Sequence, residues 1–171
     1  NDAVKAFVLS GNKPMLTYIG EEYERMGIVT TAIDCYRLAG NSQKLYQLGE
    51  KCLEEGKMGD AVKAFRTVNS TQHLLVVGRE CLDKQKYEYA IEVFASLNET
   101  GWLSKVGDKA MEDHQLAYAY KAYELANDKE KLSALGDVCL REGLIGTAVK
   151  AYTLAGNEMM LQFVRDNYQT C

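Results

Sequence analysis

The sequence has one proline in 171 residues and only two histidines. It has no run of 18 apolar residues, so no segment is suited to crossing a bilayer as a helix. No stretch alternates apolar and polar residues with period two, which removes strands from the expected fold. CxxC and HxxxH spacings are both missing, and with them the common metal sites. His73 and His114 fall at unrelated positions, and no Ser-His-Asp or Cys-His arrangement follows from spacing. Their plain reading is surface residues near helix ends. A glycine-rich phosphate loop is missing too, since the glycines are spread along the chain at packing positions and caps. Positive charge is not in excess: Lys and Arg number 20 against 24 Asp and Glu, a net charge of −4 with pI near 5.3. That balance counts against a general attraction to nucleic acid or to an anionic membrane. No secretory signal pattern is visible. These absences point to a non-enzymatic protein with no metal or cofactor.

What is present is a repeat. Ala recurs at one constant interval, as Ala3, Ala32, Ala61, Ala90, Ala119 and Ala148. Taking each Ala as place 1, place 5 is aromatic: Phe7, Tyr36, Phe65, Phe94, Tyr123 and Tyr152. Place 14 is Leu in every copy, from Leu16 to Leu161, and place 18 is Gly20, Gly49, Gly78, Gly107 and Gly136, with Arg165 breaking the series. A period held without insertion is the signature of a solenoid, in which each unit buries its apolar face only against its neighbours. The expected domain organisation is one array over 1–171, with repeats starting at 3, 32, 61, 90, 119 and 148.

Each repeat reads as two amphipathic helices. Leu45, Leu48, Gly49, Cys52 and Leu53 follow the i, i+3, i+4, i+7, i+8 pattern of one, called helix A; Met58, Ala61, Val62, Phe65 and Val68 make the same pattern in the next, helix B. The spacing predicts helices over 2–10, 13–25, 28–39, 42–54, 57–68, 71–83, 86–97, 100–112, 115–126, 129–141, 144–155 and 158–168, an all-α solenoid of about 12 helices. Helix B ends at Gly11, Gly40, Asn69, Asn98, Asn127 or Gly156, the two residue types that best tolerate positive φ. The cap reading also accounts for the sequons at Asn69 and Asn98 without glycosylation. Several helices A end at Gly27, Gly56 or Gly143. Asn12, Asn41, Ser70, Asp128 and Asn157 are N-cap formers for the following helix A, and Pro14 falls in a first turn, where a missing N–H costs little. Small Ala and Gly side chains allow close helix contact, with the aromatic filling the space beyond it.

Cys52, Cys81 and Cys139 share one place in their repeats and Cys35 shares another with alanines, so four of the five cysteines read as small core residues. Neighbouring helices lie about 8–10 Å apart, whereas a disulfide prefers Cα atoms about 5.5 Å apart. The expected setting is therefore reduced and intracellular, the cytoplasm.

Leu48-Gly49, Cys52, Ala61 and Phe65, and again Leu135-Gly136, Cys139, Ala148 and Tyr152, carry a pattern that resembles the tetratricopeptide repeat. The resemblance covers the whole chain. The interval from one Ala to the next is shorter here than the period of about 34 residues in that family. The interval from Gly to Ala is kept, so the difference lies between a helix B and the next helix A, where the family's proline is also missing. Shortened helix pairs of this sort are similar to those of clathrin-heavy-chain-like coat proteins and intraflagellar transport proteins. The resemblance implies a right-handed superhelix with helices A on the concave face, and binding of peptides or proteins without catalysis.

Place 19 holds Glu21, Glu50, Arg79, Asp108, Asp137 and Asp166, five acids in six. It lies on the flank of helix A that also carries Tyr46, Leu75, Leu82 and Met111, while helix B carries Lys5, Lys63, Lys121 and Lys150 at one outer place. Two readings stand. The charges make solvated faces with local ion pairs, or place 19 with Tyr46 forms a concave strip for a basic peptide or protein partner. The functional expectation is a protein–protein interaction scaffold. An architectural segment of a coat-like or transport assembly is the alternative, and an RNA-binding helical repeat a weaker third. The sequence opens within a helix B pattern and closes after a helix A, so the expectation is a piece of a longer array, or end-to-end self-association through Ala3, Phe7, Leu161, Val164 and Tyr168.

Overall fold

The computed structural model describes residues 11–168. Those residues form α1 (Lys13–Arg25), α2 (Val29–Ala39), α3 (Ser42–Glu54), α4 (Met58–Thr67), α5 (Thr71–Asp83), α6 (Tyr87–Ser96), α7 (Thr100–Glu112), α8 (Leu116–Ala126), α9 (Lys129–Arg141), α10 (Ile145–Ala155) and α11 (Glu158–Asn167). Among the described residues there is no strand. The fold is all-α, a repeat of helix pairs, and each helix falls within one residue of its expected bounds. The helix expected over 2–10, with Ala3, Lys5 and Phe7, lies outside the described residues, as does Cys171.

The boundaries follow from capping. Asn12, Asn41, Asp128 and Asn157 each accept a hydrogen bond from the backbone N–H three residues on, at 3.1 to 3.2 Å. Glu99 makes no such cap, and the Ser70 hydroxyl pairs instead with His73 Nδ1 at 2.7 Å. Every described helix B ends on a left-handed residue, at Gly40, Asn69, Asn98, Asn127 and Gly156. The matching place after helix A is left-handed even where glycine is missing: Gln85 has φ 56° and His114 φ 53°.

The chain divides into two compact units, 1–77 and 78–171, the boundary falling inside α5. In the first, α1 packs on α2, α2 on α3, and α3 on α4, with α2 also touching α4. In the second, each helix from α6 to α11 packs on the next, and α6 also touches α8. The repeated Ala of place 1 is fully buried from Ala32 to Ala148, and the place-14 leucines are buried from Leu16 to Leu161. Cys35, Cys52, Cys81 and Cys139 are buried free thiols. Burial holds the Cys52 and Cys81 thiols up at about 11.

The closest contact differs in one respect from the sequence expectation. The aromatic does not fill space beyond a small-residue contact; its ring lies directly on the glycine of the preceding helix A. A Cβ placed on Gly20 would sit 2.6 Å from Tyr36 Cε1, and on Gly136 2.5 Å from Tyr152 Cε1. On Gly49 it would sit 2.8 Å from Phe65, and on Gly78 2.9 Å from Phe94. At Gly107 the distance to Tyr123 Cε1 falls to 2.2 Å. Glycine recurs at place 18 because a flat ring occupies the volume a methyl group would need.

Candidate functional site

Placing the aromatic ring against helix A carries its far end to the surface beside place 19. Where the ring is a tyrosine, the phenol needs an acceptor. Tyr123 Oη donates to Asp108 Oδ1 at 2.9 Å, and Tyr152 Oη to Asp137 Oδ1 at 2.8 Å. Burial, then the bonded carboxylate, push both phenols well above the ordinary tyrosine range. Tyr36 donates instead to Glu24 at 2.9 Å, and its phenol is raised in the same way. The phenylalanine repeats make no such demand, and place 19 there is Glu50 or Arg79.

Place 19 also meets place 13 of the following helix A. Glu21 pairs with Lys44 at 2.7 Å and Asp108 with Lys131 at 2.6 Å, the separation along the chain being the same in both pairs. Lys131 also lies over the Tyr123 ring, 5.8 Å from its centroid. On the same face Lys51 pairs with Glu24 at 3.0 Å. Burial raises the Glu24 carboxyl, but hydrogen bonds from Lys51 and Tyr36, with the charges of Lys51 and Lys44, outweigh it and leave it below its usual range.

The structure therefore uses several of the candidate residues internally. Asp108 serves both a core phenol and a lysine, and Glu21 serves a lysine. Asp137 is exposed and bonded to Tyr152. Glu50 and Asp166 are exposed, and Asp166 accepts from Gln162 at 2.8 Å. Tyr46 is half-buried, its ring 6.5 Å from Phe65 and 5.3 Å from His73. On helix B, Lys63 reaches Asp34 of the preceding repeat at 3.8 Å and Lys121 reaches Glu124 at 3.1 Å.

Place 13, which sequence reasoning passed over, is the other half of the site. At His73, Trp102 and Lys131 its residue covers the aromatic ring from the following helix. His73 stacks on Phe65 with centroids 4.8 Å apart, so it is a packed side chain and not the free surface histidine expected. Trp102 stacks on Phe94 at 5.3 Å and 13°. Flat rings cover the two phenylalanines, whereas Lys44 and Lys131 stand at this place in repeats whose aromatic is tyrosine. The constant interval from an acid at place 19 to a lysine at the next place 13 was the available signal.

Between α5 and α7, within the second unit, lies a cleft of about 340 Å³ lined by Leu82, Asp83, Lys105, Asp108, Lys109 and Glu112. Leu82 supplies an apolar floor to a rim of both charges, and Asp108 is a candidate residue that opens onto it.

No family model and no curated protein sequence matches the chain. Among solved structures, the crystal structure of MamA protein aligns over 93% of this chain and 96% of that chain, at 19% sequence identity and a TM-score of 0.34.

Proposed function

We propose that the chain is a protein-interaction scaffold that takes a peptide or protein segment on the helix-A face, without catalysis. The observation that carries this reading is the cleft between α5 and α7, where an apolar floor meets charged walls that include Asp108. Such a groove can receive side chains of an extended segment, apolar ones on Leu82 and charged ones on the rim. Core places are nearly constant from repeat to repeat, while places 13 and 19 vary in sign and shape, as a surface that selects among partners requires. An architectural rod, the other reading, needs no such variation.

The acids of place 19 favour a partner with spaced Lys or Arg. Lys44 and Lys131 temper that preference, so the net attraction at Glu21 and Asp108 is small; in the second unit Asp137 and Asp166 carry most of it, and in the first unit Glu50 does. Binding of basic peptides should weaken as salt rises, mainly through slower association.

An array of synthetic peptides graded in Lys/Arg and Asp/Glu content tests this against the whole chain. Asp108→Asn with Asp137→Asn removes charge but leaves a carbonyl to accept from Tyr123 and Tyr152, so the fold should persist. The selected peptides should be basic, and the double variant should lose part of the salt dependence, mainly through Asp137. Unchanged salt dependence in the double variant would remove the strip from the binding surface.

A further inference from the structure

At one rung of the helix-A face the sign of the charge reverses. Place 19 is Arg79 instead of an acid, and place 13 of the next helix A is Trp102 instead of lysine. The Arg79 guanidinium lies 4.9 Å from the Trp102 ring centroid, and Lys105 Nζ lies 4.2 Å from it. Phe94, fully buried, stacks against the same indole at 13°, which fixes the plane of the ring.

These two cations differ from their neighbours in what holds them. Lys44, Lys131 and Lys109 each sit on a carboxylate, which neutralises them. Among the described residues, neither Arg79 nor Lys105 forms an ion pair. A π face positions a cation but carries no formal charge to cancel it. Two uncancelled positive charges are thus held over one indole, both residues exposed, with Lys105 also lining the cleft beside Leu82. Of the carboxylates lining that cleft, Asp108 is engaged with Lys131 and Tyr123 and Glu112 with Lys109, while Asp83 is exposed and lies within ion-pair distance of neither Arg79 nor Lys105.

We infer that Arg79, Lys105 and Trp102 form a docking point for the carboxylate of an acidic residue in a partner peptide. The planar guanidinium offers two parallel N–H donors to a carboxylate, and the lysine adds a point charge. With the indole face covered by cations, a stacking nucleobase has no platform there, and the net charge of −4 adds no general attraction for a polyanion. A partner lying along this face would carry an Asp or Glu at this rung among basic residues elsewhere. The inference rests on the helix-A face being the binding surface, but its test reads Trp102 alone, so each can fail without the other.

Trp102 is the only tryptophan in the chain, so intrinsic fluorescence reports on this point without a label. The whole chain is titrated with acetylated hexaglutamate, and in parallel with hexalysine and an oligothymidylate. The expected result is a saturable change in Trp102 emission with hexaglutamate and none with hexalysine. In Arg79→Gln with Lys105→Gln the midpoint should rise at least roughly tenfold, as loss of charge-assisted bonds implies. Lys121→Gln with Lys150→Gln, which removes equal charge from helices B, should leave the midpoint where it was. The inference fails if hexaglutamate leaves the emission unchanged, if both double variants shift alike, or if the oligonucleotide acts at lower concentration than the peptide.

Discussion

Among the glycines that lie beneath an aromatic ring, Gly107 would meet it most closely if replaced by alanine. The new Cβ would meet Tyr123 Cε1 at 2.2 Å, Cδ1 at 2.5 Å and Cζ at 2.8 Å. Carbon atoms pack at about 3.5–4.0 Å, so the ring must retreat by more than an ångström. It has little room to do so, being buried, tied to Asp108 through its hydroxyl and covered by Lys131. Overpacking of a core costs about 1–3 kcal/mol, and the lost phenol bond adds about 1 kcal/mol. Replacing a helical glycine by alanine returns about 1 kcal/mol. For Gly107 the clash lies at the upper end of its range, leaving a net loss of about 3 kcal/mol. At Gly78 the closest approaches are 2.9 Å to Phe94, which has no hydroxyl bond to lose, and 3.0 Å to Val93 Cγ1, so the clash lies at the lower end of its range and the terms nearly cancel. For a chain of this size about 1 kcal/mol moves the thermal midpoint by about 2–4 °C, so Gly107→Ala should melt roughly 6–12 °C lower and Gly78→Ala near the parent. Circular dichroism melts of both variants make the comparison; midpoints are the appropriate readout, because repeat arrays need not unfold in two states. Tyr123→Phe should also cost less in the Gly107→Ala background than in the parent, since the hydroxyl bond is already broken. Equal shifts for the two glycines, or a higher midpoint for Gly107→Ala, would refute the reasoning.

Glu24→Gln should flatten the acid limb of stability. Its folded carboxyl titrates below the ordinary 4.5, so the stabilisation is present above that value and lost as pH falls through the folded one; an unchanged limb in midpoint-against-pH curves would contradict this. His114→Gly should raise the melting midpoint, because left-handed backbone costs a non-glycine residue about 1 kcal/mol, offset in part by the entropy glycine brings to the unfolded chain; a lower midpoint would show the histidine ring making a contact of its own. Cys52 and Cys81, raised to about 11 by burial, should react with a disulfide reagent at pH 8 far more slowly in the native protein than in denaturant, with labelled peptides identified by mass spectrometry.

The fold was legible because its determinants are local and repeated. Ala, Leu and Gly recur at fixed places, and Gly or Asn closes each described helix B, so both period and boundaries stood in the sequence. The helix ends at 83 and 112 were expected from the period, but the positive φ of Gln85 and His114 was not, because neither residue type signals it; only alignment with Gly27 and Gly56 reveals it. The candidate surface was half legible. Place 19 was visible as a row of acids, but charge alone does not say what a carboxylate does. Tyr123 and Tyr152 turn Asp108 and Asp137 into acceptors for core phenols, and lysines on the following helix A tie down Glu21 and Asp108. Those partnerships cross from one repeat to the next, where no single-helix pattern points. Trp102 stayed hidden for the same reason, since its meaning depends on Phe94 beneath it and Arg79 beside it.

The proposal that helices A carry the binding surface is tested most directly by hydrogen–deuterium exchange of the whole chain, with and without the tightest peptide from the array. Exchange should slow in α7 and α9 and in residues 78–83 of α5, with α8 and α10 unchanged. Protection confined to α8 and α10 would place the interaction on helices B and contradict the account.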